Sequence, residues 1–294
     1  MEHIPVLLNE VIQYLNLKPS DKVIDATFSS GGHGEKILEK IKPNGKLLAI
    51  ELDAELFNKA KEGFLKINQI ILVNGNYRNL KKIAQENNFI EADGVLLDLG
   101  LSSWHFEGSK RGFTFQKDES LDMRFWQGQE LTAREIINQW SPQEIEKVLK
   151  EYGEEKFARQ ISKAIIEARK QKPIISTFQL VEAIKNAVPF WYQKGRRLHF
   201  ATKTFQALRI AVNDELGNLK SVLGQFPEVL KKGGRGAVIS FHSLEDRIVK
   251  QAFKEFKKAG IAEILTKKPI RPSEGEIAGN PRARSAKMRV IETI

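Results

Sequence analysis

No cysteine occurs anywhere in the 294-residue chain, which removes disulfides, thiolate-bound metals and any thiol nucleophile from consideration. Long apolar runs are missing too, and nothing approaches the roughly 20 apolar residues that a membrane span needs. The opening MEHIPVLLNEVIQYL has acids inside its apolar run and no basic leader, unlike a signal peptide. The expectation is a cytoplasmic protein with no membrane partner. The five histidines (His3, His33, His105, His199 and His242) show no ligand spacing, so no metal is expected. Acid is absent from Ala183 to Asn213, where Lys185, Lys194, Arg196, Arg197, Lys203 and Arg209 are all basic. A second basic stretch, Lys267 to Arg289, includes Arg271, Arg282, Arg284 and Lys287. With a formal net charge of +10, these stretches suit a phosphate backbone, although a solubilising surface has the same composition. Trp191, Tyr192, His199 and Phe200, interleaved with the first stretch, tilt the reading toward RNA.

What the chain does have is β-α-β alternation. Short Val/Ile/Leu-rich runs at 22–28, 46–52, 69–73, 94–99 and 236–241 read as strands buried on both faces of a parallel sheet. Helical patterns at 35–41, 54–67, 80–87, 216–230 and 244–259 separate them, giving an α/β doubly wound sheet. Between Leu99 and Gly236 no strand pattern is present. That interval carries helices at 132–140, 142–168 and 177–187, the second opened by Ser141-Pro142. We therefore expect an all-helical domain over 109–201, inserted between two parts of the sheet domain at 1–108 and 202–294, with the helix at 205–212 returning the chain to the core. Two final strands, 263–266 and 289–294, fit a seven-stranded methyltransferase sheet whose last strand is antiparallel.

The first strand leads into Asp25-Ala-Thr-Phe-Ser-Ser-Gly-Gly-His-Gly. A dinucleotide fold would place G-x-G-x-x-G here to receive a pyrophosphate at a helix N-terminus. The late glycines, with Glu51 closing the next strand about 20 residues on, instead suit a nucleoside without pyrophosphate, S-adenosylmethionine being the obvious candidate. In the usual methyltransferase loop D-x-G-x-G-x-G, Thr27 and Ser29 stand at the first two glycine positions and Gly31 at the third. Asn76 and Tyr77 follow the third strand, where this fold covers the adenine.

The fourth strand ends in DLGLSS, Asp98 to Ser103, followed by Trp104 and His105. An exocyclic amine is a poor nucleophile because its lone pair is delocalised into the ring. Acceptors for its N–H groups, held in line with the methyl donor, let that lone pair localise. Asp98 is such an acceptor, or else a partner for the donor's ammonium. Trp104 could stack on an extruded base. SFHSLEDRIVK, from Ser240, ends the fifth strand and starts a helix, with Ser243 as N-cap, Glu245 and Asp246 in the first turn, and His242 at the strand tip as a further contact for RNA or cofactor.

Six ordered motifs carry a family resemblance: GGH at Gly31, DLGLSS at Asp98, RGFTF…LDMR at Arg111, FQALRIAVNDEL at Phe205, SFHSLEDR at Ser240 and NPRARSAKMR at Asn280. Together they resemble the RsmH (MraW) family of cytosine-N4 methyltransferases of small-subunit ribosomal RNA. The resemblance implies a class I S-adenosylmethionine-dependent methyltransferase fold with a helical insert, and 16S ribosomal RNA within the 30S subunit as partner. Cofactor contacts would fall on Gly31, Gly32, His33, Glu51, Tyr77, Asp98 and His105, with Asp98 catalytic. Glu51 stands where Asp is more usual, Tyr77 for a Phe, and His105 where Gln is common. Trp104, Arg196, Arg197, His242, Arg282 and Arg284 are the candidates for RNA contact. The missing cysteine agrees, because attack by an N4 amine needs no covalent intermediate, whereas C5 methylation of a pyrimidine does. The competing readings are a nicotinamide-dependent oxidoreductase and a catalytically silent ribosome-binding protein. The oligomeric state is open, a homodimer included.

Overall fold

The computed structural model describes residues 4–194 and 198–294. Arg196 and Arg197 lie outside the described residues. The chain divides into two compact units, Met1–Ser102 with Leu216–Ile294, and Ser103–Glu215. The first segment contributes α1 (Leu8–Leu15), β1 (Lys22–Asp25), α2 (Gly32–Ile41), β2 (Lys46–Glu51), α3 (Ala54–Phe64), β3 (Ile70–Asn74), α4 (Leu80–Glu86) and β4 (Ala92–Asp98). The second unit follows with α5 (Ser103–Glu107), α6 (Ala133–Gln139), α7 (Pro142–Gly153), α8 (Ala158–Gln171), α9 (Thr177–Ala187), α10 (Phe190–Gln193) and α11 (Thr202–Asn213). The chain then completes the first unit through α12 (Glu215–Val229), β5 (Leu230–Ser240), α13 (Ser243–Lys258), β6 (Ala262–Ile264), α14 (Glu274–Gly279) and β7 (Lys287–Thr293).

The seven strands lie in the order β3-β2-β1-β4-β5-β7-β6. The first five are parallel, and β7 runs antiparallel to both β5 and β6. This is the class I methyltransferase sheet that the sequence leads one to expect. Successive residues of a strand point to opposite faces, and both faces are covered. Ile24, Leu48, Val95 and Val238 pack with Leu80, Phe226 and Phe253 from α4, α12 and α13. Val23, Leu47, Leu96 and Ala237 pack on the other side with Val11, Ile37 and Phe64 from α1, α2 and α3. Because both faces are apolar, the strands lack alternation, and because β1 lies between β2 and β4 the strand order reverses beside it. Ligands of doubly wound sheets bind outside the carboxyl ends at such a reversal, here the tips Asp25 and Asp98.

The helical unit is built from capped amphipathic segments. Thr132 opens α6 and Ser141 opens α7, each with a reciprocal box to the glutamate three residues on, and Pro142 occupies the first turn of α7. The single helix expected over 142–168 is two. Glu154 takes a left-handed conformation (φ 46°) after Gly153, and the chain restarts at Ala158. The buried carboxylate of Glu155 stabilises the break, accepting the Phe157 amide at 3.0 Å and the Tyr192 hydroxyl at 2.7 Å. A helix spacing pattern does not reveal a break whose partner lies 37 residues away. A second difference concerns α11, expected to return the chain to the sheet core. It packs on α7 and α6 within the helical unit, and the start of α11 approaches α7 so closely that a Cβ at Gly153 would lie 2.7 Å from the Lys203 carbonyl. The Ser103–Glu215 unit stands beside the expected insert of 109–201. No helix among the described residues is long and apolar enough to cross a membrane.

Candidate active site

Three carboxylates sit at the tips of three adjacent strands. Asp25 ends β1 and is 2% exposed, Glu51 ends β2 and is 9% exposed, and Asp98 ends β4. Backbone amides organise them. Glu51 accepts from the Ser29 amide at 2.8 Å and the Asp53 amide at 2.7 Å. Asp25 accepts from the Thr27 amide at 3.2 Å, while the Thr27 hydroxyl accepts from the Asp98 amide at 2.7 Å. Asp98 in turn accepts from the Gly100 amide at 2.9 Å, which fixes the DLG turn. Burial pushes the Asp25 carboxyl up to about 7; the Thr27 amide opposes this, and Asp98 and Glu51 add to it. Burial also pushes Glu51 up to about 7, against the Asp53 and Ser29 amides. These groups thus bear their charge at a cost, which a ligand carrying positive charge and hydroxyl donors would relieve.

The glycine turn is shaped by packing as well as by any ligand. Gly31 is left-handed (φ 88°), and a Cβ there would meet the Phe64 ring at 2.6 Å. At Gly32, the first residue of α2, a Cβ would lie 2.4 Å from Pro5. Ser29, at the second glycine position of the methyltransferase loop, does adopt the left-handed conformation a glycine would take (φ 53°), at a cost of about 1–2 kcal/mol. Its amide is thereby turned onto Glu51. Thr27, at the first glycine position, contributes a hydroxyl instead.

His33 is buried in the first turn of α2. Its Nε2 lies 3.0 Å from the Val6 carbonyl oxygen, which can only accept, so that nitrogen carries a hydrogen. The other nitrogen, Nδ1, faces the Asp98 carboxylate at 3.7 Å. With Nε2 carrying the hydrogen, Nδ1 presents its lone pair toward the carboxylate, at a distance beyond a direct hydrogen bond. The segment carrying Val6 is itself held: the Leu7 amide donates to Glu276 of α14 at 2.7 Å, and the Asn280 amide group donates to the Ile4 carbonyl at 3.2 Å.

Of the residues expected from the sequence, the sheet unit thus gathers Gly31, Gly32, His33, Glu51 and Asp98 around the β1–β4 reversal. Tyr77 follows the tip of β3, partly buried against the core of that face. Trp104 and His105 belong to α5 of the helical unit. The His105 ring is buried edge-on against Phe113 (5.0 Å) and Phe125 (5.1 Å). His242, not Ser243, is the N-cap of α13: Nδ1 accepts the Glu245 amide at 3.4 Å, and Glu245 reaches back to the Phe241 and His242 amides at 2.7 and 3.2 Å. An imidazole nitrogen can do a serine oxygen's task there, and Ser243 becomes the first helical residue. Arg282 and Arg284 stand exposed on a 3-10 turn, Pro281–Ser285. Other basic residues have structural duties. Arg209 makes a bidentate pair with Glu215 (2.7 and 2.8 Å). Arg289 and Lys287 of β7 both bind Asp246 (2.7 and 3.1 Å). Sequence reasoning passed over Asp25 and Thr27 as site residues, although Asp25 is the first letter of the loop motif.

Comparison with known proteins agrees over the full length. The model of a family described as the MraW methylase family matches residues 1–294. The chain is 43% identical to the ribosomal RNA small subunit methyltransferase H of Halothermothrix orenii, over 100% of this chain and 99% of that protein. It is 46% identical to the protein of the same name from Dictyoglomus thermophilum, over 99% and 96%. The counterpart from Thermotoga neapolitana is 44% identical over 99% and 96%.

Proposed function

Given that the chain belongs to the MraW methylase family, we propose that it transfers a methyl group from S-adenosylmethionine to the N4 amine of a cytosine in 16S ribosomal RNA within the 30S subunit. The observation that carries this reading is the set of carboxylates at the tips of β1, β2 and β4, buried at Asp25 and Glu51 and partly buried at Asp98, beside the glycine turn of α2. Asp25 and Glu51 are partnered by backbone amides, so a donor set of negative charge and oxygen acceptors is ready for a ribose diol, an ammonium and a sulfonium. The residues present fit the group.

In this reading Glu51 takes the ribose hydroxyls, Tyr77 covers the base, and the turn at Gly31 and Gly32 lets the methionine part approach the backbone. When bound, the sulfonium supplies an electrophilic methyl. The work of the protein is to prepare the nucleophile. Asp98 accepts an N–H of the cytosine amine and orients its lone pair along the line of transfer. The amine must lose one proton as the new C–N bond forms, and Asp98 Oδ2 with His33 Nδ1 behind it offers the place to receive it. His105, Trp104, Arg282 and Arg284 are further candidates for holding cofactor or RNA.

Incubating 30S particles that lack the modification with labelled donor, followed by mass analysis of the nucleosides, tests the assignment. The expected product is N4-methylcytidine, with Asp98→Ala at least a hundredfold slower, on the order of one lost transition-state contact. Label on C5 or on ribose, or wild-type turnover in the variant, would refute it.

A further inference from the structure

We propose that α10 is a stacking platform for unpaired bases of the RNA substrate, with Phe190 and Trp191 as the stacking rings and Lys194 and Lys156 as the partners of the adjoining phosphates. It rests on the reading of the substrate as RNA and adds where, and by what chemistry, the helical unit holds it.

Two large rings side by side are exposed, Phe190 at 67% and Trp191 at 60%. Each has a lysine ammonium over it. Lys194 Nζ lies 4.7 Å from the Phe190 centroid and Lys156 Nζ lies 5.6 Å from that of Trp191. These exposed rings sit on a rigid base. The next residue, Tyr192, is buried, and its hydroxyl donates to both oxygens of Glu155 at 2.7 and 2.9 Å. Phe157 packs edge-on against Tyr192 at 4.7 Å and Trp191 at 5.8 Å. The Gln193 side-chain amide donates to the Lys185 and Val188 carbonyls at 2.9 and 3.0 Å, closing the end of α10 onto the end of α9. Stacking on preordered rings loses little side-chain freedom on binding, and such platforms accept bases of any sequence because every base has a π-face.

Charge selects RNA over a protein partner. No acid occurs from Ala183 to Asn213. Two acids of the surrounding helices are already engaged, Glu155 by Tyr192 and the Phe157 amide and Glu182 by Lys185 at 3.6 Å. Aromatic faces beside lysines that form no ion pair among the described residues match a chain that alternates flat bases with phosphates. A second copy of this chain would bring the same positive patch against itself.

The probe is a short, unstructured oligouridylate added to the full-length protein, followed by tryptophan fluorescence. Wild type should be quenched, and Trp191→Phe should lose that quenching although Trp104, Trp126 and Trp140 remain. In methyl transfer to 30S particles, the Phe190→Ala/Trp191→Ala double variant should raise KM about tenfold with kcat unchanged, in line with the loss of one or two stacked bases. Trp191→Phe should recover most of the affinity, which a folding defect in the double variant would not explain. Lys156→Gln should lower the salt dependence of binding by about one released counterion. Equal quenching in Trp191→Phe, or an unchanged KM in the double variant, would overturn the proposal. So would a change of sedimentation from dimer to monomer, which would make the patch a protein interface. If wild type methylates no RNA yet its Trp191 is quenched, the enzymatic reading fails and the platform stands.

Discussion

Asp25→Asn should make the donor-free protein more stable at pH 8 and less markedly so at pH 5. The burial that lifts the Asp25 carboxyl from 3.8 to about 7 means that the folded state binds this proton more tightly than the unfolded chain. Stability from this group is therefore complete below about pH 4 and falls as pH rises toward 7. At about 1.4 kcal/mol for each pKa unit, the full rise corresponds to about 4 kcal/mol. The charges of Asp98 and Glu51 add to the cost at Asp25, so removing the Asp25 charge relieves its neighbours while water reaching the strand tips weakens the cost of the rest. About half the full figure, roughly 2 kcal/mol, is the expected gain, or about 3 °C in Tm for a chain of this size. Asparagine keeps the Oδ1 acceptor for the Thr27 amide, so the loop geometry is conserved. Thermal unfolding of both proteins at pH 5, 6, 7 and 8 without ligand reads the difference. A variant that is equally shifted at every pH, or less stable at pH 8, would show that Asp25 is not a buried charge held against its preference.

The same reasoning extends to other residues. His242→Ala removes the N-cap of α13 and should cost about 1 kcal/mol in denaturant unfolding with methyl transfer to 30S particles intact; a large loss of transfer at full stability would instead make His242 a substrate contact. Asp246→Asn strips Arg289 and Lys287 of their shared carboxylate and should cost about 2 kcal/mol at pH 7. Although burial raises its pKa, Arg289 and Lys287 hold Asp246 below the ordinary carboxylate value, so this stability is present above about pH 4 and lost below it. The gap between wild type and variant should therefore close on acidification, as followed by unfolding at pH 3 to 7. His33→Gln keeps a donor for the Val6 carbonyl but removes Nδ1 beside Asp98. It should lower kcat with little change in the donor's KM, and an unchanged kcat would take His33 out of proton transfer.

The sheet was legible because each strand is apolar on both sides and bounded by turn residues, and even the antiparallel end showed in the last thirty residues or so. Glu51 and Asp98 were legible for a related reason, since a charged residue that closes a buried strand has its position set by the strand. What escaped is mostly what depends on distant partners. The break after Gly153 is held by Tyr192, and the fate of Arg209, Lys287 and Arg289 is decided by Glu215 and Asp246. Basic residues that looked alike in sequence thus divide into internal ion pairs and exposed side chains such as Arg284. The cap at His242 was missed because serine is the commoner capping residue, and the left-handed Ser29 because its conformation shows only in the motif position it occupies. Tyr192 read as one of the aromatics interleaved with a basic, RNA-binding stretch, yet its hydroxyl is spent on a buried carboxylate beneath the exposed pair.

The most direct test is a crystal structure of the full chain grown with S-adenosylmethionine. The account predicts electron density outside the tips of β1, β2 and β4, with the ribose hydroxyls on Glu51 and the methyl directed toward Asp98. Density elsewhere, or a methyl turned away from the DLG corner, would contradict it.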